Sequence, residues 1–492
     1  MVYARLAEAA RAALWSAVVV LIATYLGVFL VSAAARLPFP AEFIYGESIV
    51  LAGARRVAQG QPLYPSPDHL PLVVSAYMPV YYVLVGALQR FFGDGYVVGR
   101  SVSLLSTLAA AGLLTWSIRR VSRCWWGGLL AGGVFLTQNM TALLWAPLHR
   151  VDPLALCLAL AGLALVTAGR PRAAAVPLLL AVLTKQTYLV APLAVFLALL
   201  PRWRLAISFA LVLGAGLLAA VMFAQALSGG WFLWYTAVAN ANPFQLDYLW
   251  AQLWPFLRFN SFPLLAAAAL FLLRPLPGER LWRIYFVWAA LTLPGIGKVG
   301  ASSNYWLELT AASSALIGLT ASRLAARQAP LSSWAQAGLA AVLVGSLVVV
   351  APGYRAVLGE ALEVLPSGGA GAVRAQLELA PLLAAEPGEL LTDDPALAVA
   401  AGKAIHFEFV IFRLLAEQGL WDERPILDAI AARRFSLVAV RTPLNAPLAD
   451  AEWTASVRDA LQAAYVPIGQ AAGHWLYRPS PALGARLSEN PS

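Results

Sequence analysis

Four short groups of polar residues interrupt long apolar runs in this sequence. Carboxylates can take a proton from a hydroxyl as general bases, and Lys and Arg bind phosphate groups. Ionisable groups near membrane depth are costly and are therefore candidates for function. The groups are the carboxylate Glu47, the Arg150-Val151-Asp152 step, the Lys185-Gln186 step, and a segment with Lys298, Asn304, Tyr305 and Glu308.

Each group also has a purely structural interpretation. Glu47 suits the positive end of a helix dipole, and Asp152 could cap a helix while Arg150 pairs with it. Lys185 could extend to the membrane interface. Lys298 lies in a Gly-rich stretch that is either a plain loop or a cradle whose backbone N–H groups bind phosphate.

The composition excludes an ordinary soluble protein. The chain has 492 residues, of which 60% are hydrophobic and 12% charged, whereas soluble domains carry about 25% charged residues. The mean hydropathy is +0.72. Only Cys124 and Cys157 are present, both in apolar runs, so a disulfide scaffold is excluded and both are interpreted as buried small hydrophobes. The sequence therefore predicts a polytopic membrane protein.

The charge divides the chain into two parts. Residues 1–351 carry 23 basic and 9 acidic residues, a net charge of +14, and residues 352–492 carry 11 basic and 16 acidic residues, a net charge of −5. The overall charge of +9 is interpreted as the positive-inside bias of a membrane protein, and no nucleic-acid partner is expected. We predict an all-α polytopic membrane bundle in 1–351 and a small α/β extracytoplasmic domain in 352–492.

A helix needs about 20 apolar residues to cross the hydrocarbon core. The first apolar run follows Arg5 and Arg11 and is too long for a signal peptide, so it is interpreted as a retained anchor. Eleven spans are predicted, near 12–34, 97–118, 125–145, 152–168, 173–184, 188–200, 205–227, 260–273, 282–295, 305–322 and 332–351.

The apolar stretch 71–91 decides the topology. If it lies in the interface, with Tyr77, Tyr81 and Tyr82 at headgroup level, the loop arginines fall on one side of the membrane and the loop acids on the other. The positive-inside rule then puts the N-terminus in the cytoplasm and the C-terminal domain outside the cell (inner) membrane. The arginines predicted to be cytoplasmic are Arg5, Arg11, Arg119, Arg120, Arg123, Arg170, Arg172, Arg202, Arg204, Arg274, Arg280, Arg283, Arg323 and Arg327.

This topology makes the first outer loop, 35–96, unusually long. Its stretch 47–59 has helical periodicity, with apolar residues on one side and Arg55 and Arg56 on another. The stretch either caps the bundle as a structured loop or forms an amphipathic lid over a cavity.

The C-terminal part shows an α/β pattern. Strands are predicted at 389–392 and 435–440, helices at 396–401 and 425–432, and a hairpin over 465–477. Asp393-Asp394 precedes a proline at a helix start, which favours a helix cap over a metal site.

No motif of a soluble enzyme is present: the sequence has no phosphate loop, GxGxxG, HExxH or GxSxG. The four histidines lack metal-ligand spacing. No spacing of ligand residues indicates a metal site, although carboxylates such as Glu47 and Asp152 are able to bind a divalent cation.

Several short motifs resemble the polytopic glycosyltransferases of the C-type fold, which include the protein O-mannosyltransferases and the lipid A aminoarabinose transferase. The resemblance covers most of residues 10–351 in layout. Its motifs are Tyr45-Gly46-Glu47, Ala54-Arg55-Arg56, Gly60-Gln61-Pro62-Leu63-Tyr64, Pro79-Val80-Tyr81-Tyr82, Gly99-Arg100, Asp152 and Thr184-Lys185. One departure is that Gly46 stands where the family has the Asp of an Asp-Glu pair.

The resemblance implies transfer of a sugar from a polyprenyl-phosphate donor in the membrane lipid to an extracytoplasmic glycolipid, polysaccharide or protein. Glu47 or Asp152 is expected to be the base. Substrate contacts are expected from Arg55, Arg56, Tyr64, Tyr81, Tyr82, Arg150, Lys185, Gln186, Lys298, Asn304, Tyr305 and Glu308.

Two other functions are compatible with the sequence. A transporter or flippase for a lipid-linked or anionic solute would use the cations for binding, but it should show midplane polar residues and internal symmetry. An envelope scaffold would use the C-terminal domain to recruit a partner, and it leaves the loop acids unexplained.

Overall fold

The computed structural model describes residues 2–326, 330–447 and 452–481, so Arg327 lies outside it. The chain forms two compact units. Unit 1 comprises 1–38, 77–224 and 242–363, and unit 2 comprises 39–76, 225–241 and 364–492. The boundary predicted at residue 351 treated 35–96 as part of the membrane domain. Here most of that loop belongs to the same unit as the C-terminal segment.

Unit 1 is helical throughout its described length. A helix pairs its interior backbone N–H and C=O groups within itself, as a bilayer requires. The α-helices are Val2–Arg36, Pro79–Phe92, Tyr96–Ser122, Trp125–Thr137, Thr141–Trp145, Asp152–Thr167, Ala175–Val182, Val190–Leu199, Trp203–Leu227, Leu246–Ala268, Glu279–Leu291, Leu307–Ala325 and Pro330–Gly359.

Five helical stretches in the described residues are long and apolar enough to cross a membrane. They are Arg5–Arg36, Tyr96–Ser122, Val190–Leu227, Leu246–Leu272 and Ser333–Val364. The predicted spans 188–200 and 205–227 both fall within one stretch, interrupted only by a 3₁₀ turn at Leu200–Arg202. The span predicted at 173–184 contains a helix of only eight residues, about 12 Å long. The number of crossings therefore stays a prediction.

Small residues allow the unit 1 helices to approach closely. A Cβ added at Gly127 would lie 1.8 Å from Ser322 Oγ and 2.6 Å from the Gly318 carbonyl oxygen. Such small-residue crossings replace the hydrophobic driving force that lipid cannot supply. The first and last long helices are joined by a hydrogen bond from Tyr25 Oη to the Leu347 carbonyl oxygen, 2.8 Å long.

The helix predicted to lie in the interface begins later than expected. Residues 71–78 are not helical, and the helix spans Pro79–Phe92. Proline favours the first turn of a helix and disfavours helical backbone in the residue before it. A helix of 14 residues is about 21 Å long, which is too short to cross a core of about 30 Å.

Unit 2 is an α/β unit with a four-stranded sheet. The strands are β1 (Glu389–Thr392), β2 (Phe435–Val440), β3 (Tyr465–Ala471) and β4 (His474–Pro479), in the order β1-β2-β4-β3. β1 pairs in parallel with β2, and the other pairs are antiparallel. The helices are Glu47–Ala58, Trp231–Leu233, Gly371–Ala385, Pro395–Ala400, Phe409–Glu417, Arg424–Ala431 and Ala455–Ala464.

The first loop completes the core of unit 2. Leu72 pairs in parallel with Phe407, with hydrogen bonds of 2.8 Å from Leu72 N to the His406 carbonyl oxygen and from Glu408 N to the Leu72 carbonyl oxygen. Val73 belongs to the same buried apolar cluster as Leu390 and Leu437 of the sheet. The segment 39–76 is thus an integral part of this unit.

The elements predicted for the C-terminal segment are present. The strands at 389–392 and 435–440 have the predicted bounds. The hairpin turns at Ala472-Gly473, between β3 and β4, and Gly473 has a φ of 78° that favours glycine. The cysteines Cys124 and Cys157 are free and only partly buried.

Candidate active site

A buried ion pair forms where two helices of unit 1 begin and end. Asp152 is the first residue of helix Asp152–Thr167. Lys185 lies in the break between the short helix that ends at Val182 and the helix that begins at Val190. The distance from Lys185 Nζ to Asp152 Oδ1 is 2.5 Å, and both side chains are at most 5% exposed.

Asp152 has one oxygen that is engaged and one that is not. Oδ1 accepts hydrogen bonds from Lys185 and from Asn304 Nδ2, the latter 2.9 Å long. Tyr188 Oη donates to the backbone carbonyl of Asp152 over 3.1 Å. Within the described residues, Oδ2 of Asp152 and Oδ1 of Asn304 have no hydrogen-bond partner. Because buried polar atoms are almost always paired, these two acceptors indicate a site for a ligand that donates hydrogen bonds.

Aromatic rings surround the cations of this cluster. Arg150 donates to Tyr77 Oη over 2.9 Å, and its guanidinium lies 5.5 Å from the Trp145 ring centroid. Lys185 Nζ lies 4.8 Å from the Tyr305 ring centroid. Cation–π contacts of this kind hold a charge in place and leave its N–H groups able to bind an anion.

Positive charge predominates around Asp152. Lys185 and Arg150 both act on this one carboxylate. Lys298 lies close enough that the charge of Lys185, added to burial, lowers the pKa of the Lys298 amine. The charge of Lys185 also acts on Glu308, so the cations Lys185, Arg150 and Lys298 are set against two carboxylates. Three cations for two carboxylates leave a net positive site, which suits a phosphate group.

The remaining residues predicted in unit 1 are buried or half-buried. Glu308 Oε1 accepts a hydrogen bond of 3.3 Å from Tyr285 Oη. Gln186 is half-buried, and Tyr82 is fully buried. Tyr81 is also fully buried and donates to the Gly99 carbonyl oxygen over 3.1 Å. Its hydroxyl therefore joins two helices.

Gly99, part of the predicted Gly99-Arg100 motif, is required by packing. A Cβ at this position would lie 2.4 Å from three atoms of the His149 ring. His149 is buried and stands directly before Arg150, so the glycine helps to seat the Arg150–Asp152 segment.

Four predicted residues, Glu47, Arg55, Arg56 and Tyr64, belong to unit 2. Glu47 is buried, and its Oε2 accepts a hydrogen bond of 2.9 Å from Phe43 N. Arg56 donates to the carbonyl oxygens of Val73 and Pro71 over 3.3 and 3.2 Å. These bonds hold unit 2 together, and substrate contacts by the four residues stay predictions.

Tyr64 lies in an aromatic cluster. Its ring meets Phe232 edge-on at 5.2 Å between centroids, and Tyr235 lies 6.0 Å away. The segment 225–241, which supplies both partners, was predicted only as the end of a span.

The sequence analysis did not assign Tyr77, Trp145 or Tyr188 to the site. A usable signal was closeness in the chain: Tyr188 follows Lys185 by three residues, and its N–H donates to the Lys185 carbonyl oxygen over 3.1 Å in the turn between the helices. The contact of Tyr77 with Arg150 depends on tertiary structure, and no local pattern shows it.

Unit 2 contains a second group of buried ionisable residues. They are carboxylic acids and the residues that donate hydrogen bonds to them. Burial raises the pKa of Glu42 to about 8, and the nearby Glu47 and Asp394 charges add to this effect, although the Ser48 hydrogen bonds oppose it. Burial likewise raises the pKa of Glu408 to about 7. Tyr45 Oη donates to Glu408. These acids therefore hold protons near neutral pH.

The adjacent acids Asp393 and Asp394 differ in their partners. Burial raises the pKa of Asp393 to about 7, although its oxygens accept from Arg441 N over 3.0 and 3.1 Å. For Asp394, burial is outweighed by the hydrogen bond from His474 and by the charge of Arg441, so its pKa is lowered. Asp394 caps the helix that begins at Pro395, as predicted.

The donor set does not favour a metal site. Within residues 2–326, 330–447 and 452–481, no group of three or more His, Cys, Asp or Glu side chains is placed to hold a metal ion.

Comparison with solved structures gives the fold. ArnT from Cupriavidus metallidurans bound to undecaprenyl phosphate matches with a TM-score of 0.61 and 14% sequence identity, over 95% of this chain and 98% of that chain. The chain has the C-type glycosyltransferase fold. The apo state of the same ArnT matches with a TM-score of 0.60 and 14% identity, over 94% and 97% of the two chains. No protein-family model and no curated protein sequence match this chain.

The fold of ArnT confirms the predicted class, a polytopic membrane bundle with a small C-terminal α/β part. The chain is an integral membrane protein. The orientation of its termini stays a prediction.

Proposed function

We propose that this protein is an integral-membrane glycosyltransferase that moves a sugar from a polyprenyl-phosphate donor to an extracytoplasmic acceptor. The observation that carries the proposal is the buried cluster of Lys185, Arg150 and Asp152, in which cations outnumber the carboxylate. The C-type fold supports it, because ArnT was solved with undecaprenyl phosphate bound.

The cations would hold the phosphate that leaves the sugar. Arg150 and Lys185 are already fixed by Tyr77 and Tyr305, so little side-chain freedom is lost when an anion binds. As the bond to the sugar breaks, negative charge grows on the phosphate oxygen, and fixed cations stabilise that charge most. Lys298 would contribute to the same positive field.

The acceptor hydroxyl must lose a proton during transfer. Asp152 has one free oxygen, Oδ2, but its ion pair with Lys185 favours the charged form and weakens it as a proton acceptor. We infer that Asp152 orients Lys185 and the acceptor, and that Glu47 is the other candidate for the base.

The first test is binding of undecaprenyl phosphate to the purified protein in lipid nanodiscs. Arg150→Gln should weaken binding about 10- to 100-fold, because a charge-assisted hydrogen bond in a buried site contributes roughly 1.5–3 kcal/mol. Arg258→Gln, at an exposed arginine of unit 1, is the matched control and should bind like the wild type.

The second test is turnover of a panel of polyprenyl-phosphate-linked sugars by Glu47→Gln and Asp152→Asn. Loss of a general base should lower the rate by about 10²–10⁴ with little change in binding. If both variants fold and turn over like the wild type, neither carboxylate is the base. If no lipid-linked sugar is consumed and undecaprenyl phosphate does not bind, the proposed function is wrong.

A further inference from the structure

Two adjacent pockets in unit 1 each contain four arginines. The first has a volume of about 840 Å³ and the second about 760 Å³, and they share Pro201 and Arg202. Their arginines are Arg170, Arg172, Arg202 and Arg204 in the first pocket, and Arg120, Arg123, Arg202 and Arg280 in the second.

No carboxylate lines either pocket within the described chain. The nearby Glu279 is already paired with Arg283 and Arg323, each at 3.0 Å. The two pockets together therefore present seven positive charges and no negative one. Repulsion among them is relieved when an anion binds.

Most of these arginine side chains make no hydrogen bond or ion pair that stabilises the fold of the described residues. Arg120 and Arg280 donate to the carbonyl oxygens of Thr167 and Leu197, at helix C-termini, over 3.3 and 3.2 Å. The side chains of five others have no hydrogen bond or ion pair to any described residue. They are Arg123, Arg170, Arg172, Arg202 and Arg204, and all five are exposed.

A positive-inside bias alone explains basic residues on this side, but it does not explain their convergence. The five come from three helix–helix connections: the end of helix Tyr96–Ser122, the turn before Ala175, and the 3₁₀ turn before Trp203 together with the first residues of the helix that follows it. The fold brings these connections to one continuous surface around Arg202.

We propose that the two pockets form one binding site for a phosphate-bearing group, supplied by the headgroup of an anionic phospholipid. Guanidinium groups bind phosphate through paired N–H donors, and basic pockets between membrane helices bind anionic headgroups. Trp203, between two of the arginines, is 59% exposed, and its ring lies 5.4 Å from the Arg204 guanidinium. An exposed tryptophan is typical of the membrane interface, which favours a lipid over a soluble phosphate.

The test compares retained lipid. The full-length protein is exchanged into detergent, mixed with equal amounts of cardiolipin and phosphatidylcholine, and analysed by native mass spectrometry. The variant Arg170→Gln/Arg202→Gln removes Arg170, which lines only the first pocket, and Arg202, which lines both. We expect it to lose cardiolipin affinity about 10- to 30-fold, since each basic residue contributes about one factor of five near a surface.

Arg5→Gln/Arg11→Gln is the matched control. It removes two arginines predicted to lie on the same side of the membrane but outside both pockets, and it should retain cardiolipin like the wild type. Equal binding by wild type and the pocket variant, with both folded by thermal unfolding, overturns the proposal. An equal loss in the control variant also overturns it, because the effect is then net charge alone.

Competition separates the two sources of phosphate. Inorganic pyrophosphate at millimolar concentration should leave cardiolipin bound if the lipid tails add to the headgroup contacts. If pyrophosphate displaces cardiolipin and protects the wild type but not the pocket variant against unfolding, the lipid assignment is wrong and the ligand is a soluble phosphate. None of these readouts depends on sugar transfer.

Discussion

Asp152 in unit 1 and the acids Glu42 and Glu408 in unit 2 are buried in opposite ways. In unit 1, Asp152 is enclosed by Lys185, Arg150 and Asn304, so its negative charge is matched by cations. In unit 2, the acids Glu42 and Glu408 are buried without an ion pair of their own among the described residues, and their pKa values rise to about 8 and 7. A carboxylate can be buried as a paired ion or as a neutral acid, and this chain uses both solutions.

This difference distinguishes the Asp152 cluster of unit 1, which suits an anion, from unit 2, whose stability depends on protonation. Fixed charges that are already paired change little with pH near neutrality, so the Asp152–Lys185 pair keeps its charges. Acids that hold protons near neutrality make the stability of unit 2 depend on pH.

The largest effect is expected from breaking the ion pair of unit 1. Lys185→Met leaves Asp152 buried without its cation, which should lower the free energy of unfolding by about 3–5 kcal/mol. Thermal unfolding in detergent measures this loss. Lys185→Met/Asp152→Asn should recover part of it, and Lys185→Arg should lose least. If Lys185→Met unfolds like the wild type, the pair is not stabilised as described.

The stability of unit 2 should depend on pH through Glu42. Glu42 has an ordinary pKa of 4.5 and a folded pKa of about 8, so the folded state keeps a proton that the unfolded chain releases. The stabilisation from that proton is complete below about pH 4.5 and is lost as the pH rises to about 8. Unit 2 should therefore become less stable over that range, by on the order of a few kcal/mol.

Glu42→Gln should flatten this dependence, since glutamine can still accept from Ser48 N and does not titrate. Glu378→Gln is the matched control, because Glu378 is 62% exposed on its side chain, and it should keep the wild-type profile. Hydrogen exchange of β1 and β2 between pH 5 and 8 reports on this unit. A profile equally steep in Glu42→Gln and the wild type would contradict the role of Glu42.

A smaller effect is expected from the paired acid within unit 2. Asp394→Ala removes the cap of helix Pro395–Ala400 and the partner of His474, 3.5 Å away. It should cost about 1–2 kcal/mol. Asp394→Asn keeps the cap oxygen, so it should cost less. Chemical denaturation at pH 7 distinguishes them, and equal losses for the two variants would show that the charge, not the cap, dominates.

An effect of similar size is expected at Gly46, where the resemblance to the C-type glycosyltransferases implies an Asp. Its φ is 100°, a left-handed conformation that side chains disfavour by about 1–2 kcal/mol. Gly46→Ala should lower unit 2 stability by this amount, and Gly46→Asp should not raise the transfer rate. Gly112→Ala, where an added Cβ meets nothing within 4 Å, is the control. A more active Gly46→Asp would show that the missing acid is needed.

The sequence predicted what depends on local patterns. Apolar runs gave the membrane bundle and β2, and alternation gave the hairpin of β3 and β4. The helix predicted over 71–91 is present but begins only at Pro79. Asp394-Pro395 was correctly interpreted as a cap because the capping geometry involves only neighbours in the chain.

The rest depended on contacts between distant segments. Asp152, Lys185 and Asn304 were each selected as candidates, but their hydrogen bonds join residues 33 and 152 positions apart. Leu72 pairs with Phe407, and no periodicity in 71–78 shows that partner. For this reason the first loop was assigned to the membrane part, although its core contacts are with the sheet.

Unit 2 is formed by segments that lie far apart in the chain, and this affects how it folds during synthesis. Its segment 39–76 leaves the ribosome early, but the strands that receive Leu72 and Val73 come after the 287 residues from 77 to 363. At about 5–20 residues per second this delay is roughly 15–60 s. During that time the loop exposes apolar side chains with no sheet to cover them. Truncating the chain before residue 364 would leave the loop permanently in this state, a substrate for chaperones and proteases.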